Sequence, residues 1–318
     1  MGITISGGWQ ISGGWSMIPA PPPPDQAFGW FGGGFTDGVG PLSTVNRIDY
    51  SSDAVTTSTR GSLTYVSHAA MATGNQTFGW FTAGANPVNT FNRITYASDT
   101  GLATARGALS FDKFRAGATG NTNYGWFGGG RPAPAPILLS SVDRLDYAID
   151  TTTASARGPL GLARDELAAT GNSDYGWFGG GVNISTIDRI NYSVDTATAS
   201  VRGPLNRNAQ RPAATGNSDY GWFGGGAGPT VSSVNRIDYA NDTGTTATRG
   251  PLSLARYGLG ATGSTTFGWF GGGVAAPDFN QTSRIDRINY ESDTVSATTR
   301  GPLTTIRADV SATGGFPG

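Results

Sequence analysis

The sequence predicts an all-β chain, a six-bladed β-propeller of four-stranded blades whose ring is closed by the C-terminal strand, plus an extended N-terminal arm. Three observations carry that prediction. A Gly-Trp-Phe triplet recurs six times, with its indole at Trp30, Trp80, Trp126, Trp177, Trp222 and Trp269, in steps of 45 to 51 residues. Between copies, short alternating runs are punctuated by Gly, Asn, Asp and Pro, and no run sustains a 3.6-residue period. The two ends of the array also complement one another. The first copy begins at Phe28 without an Ala-Thr-Gly segment, and the chain finishes on Ser311-Ala312-Thr313-Gly314 with no Gly-Trp-Phe after it. Four strands in a repeat of about 40–50 residues make a propeller blade. Closure by the last strand hides the sheet edges that would otherwise pair with other chains.

Each element of the unit has its own reason. In the copy from Ala168 to Leu205, the first strand is small and apolar and ends at Thr170-Gly171-Asn172. The second strand, Tyr175 to Phe178, is aromatic and is closed by three glycines. The third, Ile187 to Tyr192, alternates branched and polar residues, and the fourth, Thr196 to Arg202, is rich in Thr, Ser and Ala. Turn chemistry separates them: Gly171 to Asp174 joins the first two strands, and an Asp195-Thr196 corner joins the last two. Two further markers recur in every copy. One is the arginine of the third strand (Arg47, Arg93, Arg144, Arg189, Arg236, Arg287); the other is an Arg-Gly pair at Arg60, Arg106, Arg157, Arg202, Arg249 and Arg300.

The unit resembles a kelch repeat over residues 28–314. The YGWFGGG run corresponds to the kelch Gly-Gly strand, Tyr192 to Thr196 to its Tyr-Asp turn, and Gly158 to Arg164 and Gly250 to Arg256 to its Pro-x-x-Arg end. The kelch Trp of the fourth strand is absent here, replaced by Ala, Ser or Thr. The resemblance implies the fold and not the kelch partners. The near-identical GWFGGG copies, the single Lys and the Thr/Ser richness also resemble propeller repeat proteins encoded by tailed phages.

Composition narrows the chemistry. With no Cys, the chain has no disulfide framework, thiolate site or cysteine nucleophile, and with His68 as its one histidine it builds no multi-histidine metal centre. We therefore expect neither metal nor cofactor. A net charge of −1 gives no footprint for nucleic acid, and no apolar run is long enough for a helical membrane span. The N-terminus lacks the basic start of a secretory signal, although MGITIS fits the myristoylation pattern on Gly2. Asn75-Gln76-Thr77 and Asn183-Ile184-Ser185 are glycosylation sequons.

Residues present in every copy read first as structure. The six tryptophans pack blade against blade, each burying roughly 150–250 Å². The third-strand arginines are expected to join an inter-blade ion-pair ring with the acids beside them, drawn from Asn46/Asp49, Asn92/Thr95, Asp143/Asp146, Asp188/Asn191, Asn235/Asp238 and Asp286/Asn289. The Asp of Ser98-Asp99-Thr100 resembles the sialidase Asp-box without its Gly-x-Thr-Trp spacing, and so reads as a turn former. Catalysis would need non-repeated acids gathered at the ring centre, and Glu166 and Glu291 are the only glutamates. The reading is therefore a non-enzyme.

The two faces of such a ring differ. Turns joining first to second and third to fourth strands are short and repeated. Loops joining second to third strands vary and lie with the blade-to-blade links on the other face, where binding residues are expected: Phe35, Asp37, Arg131, Asp278, Phe279 and Arg284. Residues 1–27 form the arm, with Trp9, Trp15 and the run Pro21, Pro22, Pro23 and Pro24 as its anchoring residues, and residues 28–318 form the propeller. These features point to a structural interaction protein of a larger assembly, a virion decoration or tail appendage, whose loops meet a host-surface glycan. The alternatives are a free lectin-like propeller on an extracellular surface and, third, a glycan-cleaving hydrolase.

Overall fold

In the computed structural model the described residues are 27–82, 84–85, 89–132 and 136–314, together with the backbone of three short strands, Ile3–Ile5, Trp9–Ser12 and Ser16–Pro19. The chain is all-β. Among the described residues there are six four-stranded antiparallel sheets, a propeller-like arrangement. We number them as units 1 to 6 in chain order. Unit 4 is Leu167–Gly171, Tyr175–Gly180, Ile187–Asn191 and Ser200–Arg202. Unit 1 draws its innermost strand, Ser311–Gly314, from the far end of the chain and pairs it with Phe28–Gly32 in the register Thr313 opposite Trp30. The same register holds elsewhere, with Thr170 opposite Trp177 and Trp177 opposite Arg189.

Register decides which side chains meet the next sheet. Cross-strand neighbours share a face, so Thr170, Trp177 and Arg189 project together, and Phe178, Asp188 and Tyr192 project from the other side. The first face reaches the following unit. Trp177 stacks on Tyr239 at 3.9 Å between ring centroids, and its Nε1–H donates to Asp242 Oδ2 at 2.8 Å. The same carboxylate oxygen takes Arg189 at 3.0 Å and lies 3.4 Å from Nε of Arg202. All six junctions repeat this clasp, including Trp269 on Tyr50 and Asp53, which joins unit 6 to unit 1. Each of the six junction tryptophans is fully buried. On the outer side of the clasp, the N–H of Gly203 donates to Asp242 O at 2.8 Å. A Cβ at Gly203 would stand 1.8 Å from Gly244 O, which is why the Arg is always followed by Gly.

This geometry corrects two expectations. The third-strand arginines do form an inter-unit ion-pair set, but their partner is not the flanking acid. It is the Asp of the Tyr-x-x-Asp corner, which is therefore more than a turn former. Burying a carboxylate beneath one indole N–H and two guanidinium groups compensates its charge, whereas Asp49 and Asp146 stay at the surface and accept the N–H of Ser51 and Ala148. The other flanking position serves a different cation. Asp188 pairs with Arg164 at 2.5 Å, Asp286 with Arg256 at 2.9 Å, and Asp143 with Lys113 at 2.8 Å, in each case with both side chains at most 1 % exposed. These cations come from the link that enters the unit, and Arg164 and Arg256 also donate to the carbonyls of Phe178 and Phe270. In unit 1 the acid is missing: Arg307 meets only carbonyl oxygens, those of Phe31, Gly33 and Thr44 and the Asn46 side chain. Burial pulls the Arg307 pKa down to about 10. Asn46 Nδ2 is buried with no hydrogen-bond partner.

The arm also departs from the expectation of an extended segment. Its strands pair antiparallel as a three-stranded sheet, Ile3 opposite Ile11 and Trp9 opposite Pro19. The repeated Ile-x-Ile/Trp-x-Ile alternation, broken by Gly-Gly, supplies the pattern for such pairing. Trp15 and Pro21 to Pro24 lie outside the described residues.

Two outcomes test these contacts. Asp195→Asn leaves Arg144 and Arg157 without their counter-charge and should lower stability by about 3 kcal/mol, read as a lower urea midpoint. Asn46→Asp supplies the charge that Arg307 lacks and removes an orphan donor; its urea midpoint should rise, by about 1–2 kcal/mol of stability.

Candidate functional site

The innermost strands of the six sheets lie side by side, each against its two neighbours, with Ser311–Gly314 between Ala72–Gly74 and Gly260–Gly263. They surround a cavity of about 130 Å³ whose lining takes residues from all six. Ala72, Ala118, Ala169, Ala214, Ala261 and Ala312 form its collar, half-buried and without polar side-chain atoms. Below the collar a second cavity, about 110 Å³, is walled by the Thr-Gly ends of the same strands.

Above the collar the sixfold pattern breaks. Three positions before each collar alanine stand Ala69, Arg115, Glu166, Arg211, Gly258 and Asp309. All six are left-handed, with φ between 51° and 68°. Their backbones form a hydrogen-bonded circuit: Arg115 N–H donates to Ala69 O, Glu166 to Arg115, Arg211 to Glu166, Gly258 to Arg211, Asp309 to Gly258 and Ala69 to Asp309, at 2.7 to 3.1 Å. Glycine adopts this conformation most cheaply, and a non-glycine residue there costs of order 1 kcal/mol. Only Gly258 is glycine; four of the others carry charge.

Those four charges meet at the mouth. Arg115 Nη1 donates to Glu166 Oε1 at 2.6 Å, and Arg211 Nε donates to the same oxygen at 2.9 Å. Gln210 donates to Glu166 Oε2, and Arg211 Nη1 reaches Asp309 Oδ1 at 3.5 Å. The carboxylate of Glu166 is 3 % exposed, while the Arg115 and Arg211 side chains are 20 % and 23 % exposed. Glu166 thus sits beneath the guanidinium groups, whereas Asp309 is 15 % exposed. Burial holds the Arg115 pKa below its ordinary value, with the Arg211 charge adding to the effect; Asp309 and Glu166 lift that of Arg211 against its own burial. Beside them Asp165, 3.3 Å from Arg131, has its pKa raised by burial and by Glu166. His68 is held below 6.5 by burial, opposed by Asp309.

The variable loops open on this same side. Bridges Phe35–Ala308, Leu42–Ser67, Phe114–Arg131 and Gln210–Ala227 tie the second-to-third loops to the incoming links. Of the expected binding residues, Arg131 stands at the mouth, paired with Asp165 and 5.1 Å over the Phe114 ring. Phe35 lies 5.6 Å from the His68 ring. The Asp37 N–H donates to Gln281 at 2.8 Å, which joins the first-unit loop to the sixth-unit loop that carries Asp278 and Phe279; Phe279 is 59 % exposed. Arg284 holds its loop instead, donating to Ser253 at 2.8 Å and Thr299 at 2.9 Å.

Sequence reasoning singled out neither Arg115, Arg211 nor Asp309. The signal was available: when the copies are aligned on Ala-Thr-Gly, the column just before the inner strand carries charge of changing sign in four of the six copies. Among the described residues, no three His, Cys, Asp or Glu side chains group so as to hold a metal ion, and no helix is long and apolar enough to cross a membrane. No family model matches the chain, and no curated protein matches it.

His68, as the one histidine, reports on this mouth. Its folded pKa is depressed, so between that value and 6.5 the unfolded chain binds more protons and stability rises with pH. The contribution is complete above 6.5 and is lost as pH falls below it. A proton NMR titration should place the imidazole midpoint below 6.5, and His68→Gln should flatten the acid side of the stability profile.

Proposed function

We propose that the six sheets are the blades of one closed six-bladed propeller, and that it works as a non-catalytic interaction module. Residues 1–27 anchor it in a larger assembly, and the loop-bearing face meets its target. One observation carries this reading. The repeated Trp, Tyr, Asp and Arg side chains are engaged between sheets, whereas the non-repeated charges converge on one mouth, on the face that also bears the variable loops. Rigid scaffolds present variable loops where binding occurs. The likeness to phage-encoded repeats makes a virion the assembly we favour, with a host-surface glycan as the target.

The mouth also supports a second reading, glycan hydrolysis, because Asp165, Glu166 and Asp309 are the non-repeated acids that such chemistry requires. Against it, Glu166 already accepts three donors and Asp165 is paired, which leaves Asp309 alone where the usual chemistry needs a pair of carboxyl groups. Turnover of chromogenic glycosides that is lost in Asp309→Asn would favour this second reading.

Light scattering of the full chain against a chain starting at Asp25 tests the first. The full chain should assemble, or recruit a partner from a source lysate, while the shorter one stays monomeric. Identical monomers with no partner would remove the anchoring role.

A further inference from the structure

The mouth charges are unevenly presented, and that asymmetry points to a ligand class. Glu166 lies beneath Arg115 and Arg211 with both carboxylate oxygens engaged, so on that arc an incoming group meets guanidinium donors, while the 15 % exposed Asp309, 3.5 Å from Arg211 Nη1, stands on the opposite arc. Among the described residues, Arg115 Nη2 and Arg211 Nη2 make no hydrogen bond, and Arg115 Nε is buried without a partner. The two arginines flank Glu166 in the backbone circuit, so their free Nη2 groups lie on the same arc of the mouth. Ala69 and Gly258, the next residues of the circuit on either side, bring no side chain beyond a methyl group, and the alanine collar lies below with no polar side chain. Two guanidinium Nη2 groups over a small apolar floor suit a flat, singly charged acceptor with a short body behind it. Such planar donors match the two oxygens of a carboxylate, which the point charge of a lysine does not.

We propose that the mouth binds a carboxylate, held by Nη2 of Arg115 and Nη2 of Arg211 with its carbon skeleton on the alanine collar. This rests on the reading of the loop-bearing face as the binding face. The five non-glycine residues of the circuit keep a left-handed backbone that glycine would adopt more readily, which fits a mouth shaped for its side chains.

The test uses the full chain and three probes: methyl glucuronide for a glycan-borne carboxylate, acetate for a free one, and methyl glucoside as the neutral match of the first. Binding is read by calorimetry and by the imidazole resonances of His68. The expected result is saturable binding of methyl glucuronide that shifts the His68 signals, with methyl glucoside at least 10-fold weaker. Acetate binding as tightly as the glucuronide would assign the site to free carboxylates, and weaker acetate binding would assign it to glycans. Ala69→Glu places a like charge in the mouth beside Arg115 while keeping all four existing charges, and Arg115→Gln removes one guanidinium; each should weaken binding at least 10-fold while keeping the urea midpoint within reach of the parent. Equal affinity for the glucuronide and the glucoside, or binding unchanged in Ala69→Glu, overturns the site. Capture of neutral glycans on an array, unaffected by Ala69→Glu, overturns the carboxylate and leaves the interaction module standing. A chain that captures no glycan and behaves as its truncated form overturns the module itself.

Discussion

Everything in this chain hangs on one buried carboxylate per junction. The Asp of each Tyr-x-x-Asp corner receives an indole N–H and two guanidinium groups from the preceding sheet, while the Tyr three residues before it stacks on the same indole. A carboxylate left alone there would carry a large desolvation penalty, and so would the two arginines. Together they offset one another's charge, and the apolar faces of indole and phenol close over them. The clasp therefore sets both the distance and the angle between sheets. Since each unit offers the donor side on one face and the acceptor side on the other, repetition of the unit repeats the rotation.

Small residues follow from the same constraint. Gly176 precedes its Trp because a Cβ there would meet Thr119 of the preceding sheet at 2.6 Å and the Tyr192 hydroxyl at 2.7 Å. The inner strands approach so closely that only alanine lines their collar. With the junctions holding the sheets in place, the inner strands can carry unlike residues at their entry. The mouth uses that freedom: charge where the neighbouring units have methyl or hydrogen, on a backbone circuit that is itself repeated.

The two kinds of ion pair in the chain do different work. The junction clasps are partly open to water through their arginines, about 20 % exposed, and recur without exception. The pairs of Arg164, Arg256 and Lys113 with Asp188, Asp286 and Asp143 are sealed and vary, with Arg307 doing without an acid at all. A sealed cation can use carbonyl oxygens in place of a carboxylate, so that position tolerates Asn46; the clasp, which balances two cations on one oxygen, does not.

Much of the fold is legible in the residues themselves. Six copies of Gly-Trp-Phe, the turn residues between short alternating runs, and an Ala-Thr-Gly strand displaced to the far end give the strand order and the pairing of Ser311–Gly314 with Phe28–Gly32. These are local properties, since alternation and turn chemistry act within a few residues. The partner of each third-strand arginine is not local. Asp49 lies two residues from Arg47 in sequence, yet the partner is Asp99, 52 residues on, because Asp49 turns to the N–H and hydroxyl of Ser51 while the guanidinium reaches the buried corner of the next sheet. The mouth is less local still. Arg115, Glu166, Arg211 and Asp309 lie 45 to 98 residues apart from one to the next, and only the side-by-side packing of the inner strands brings them to hydrogen-bonding distance. The sequence by itself determined the repeat, the strands and their order. The tertiary structure decided which charges meet, because that depends on the rotation each clasp imposes between sheets and not on any neighbour along the chain.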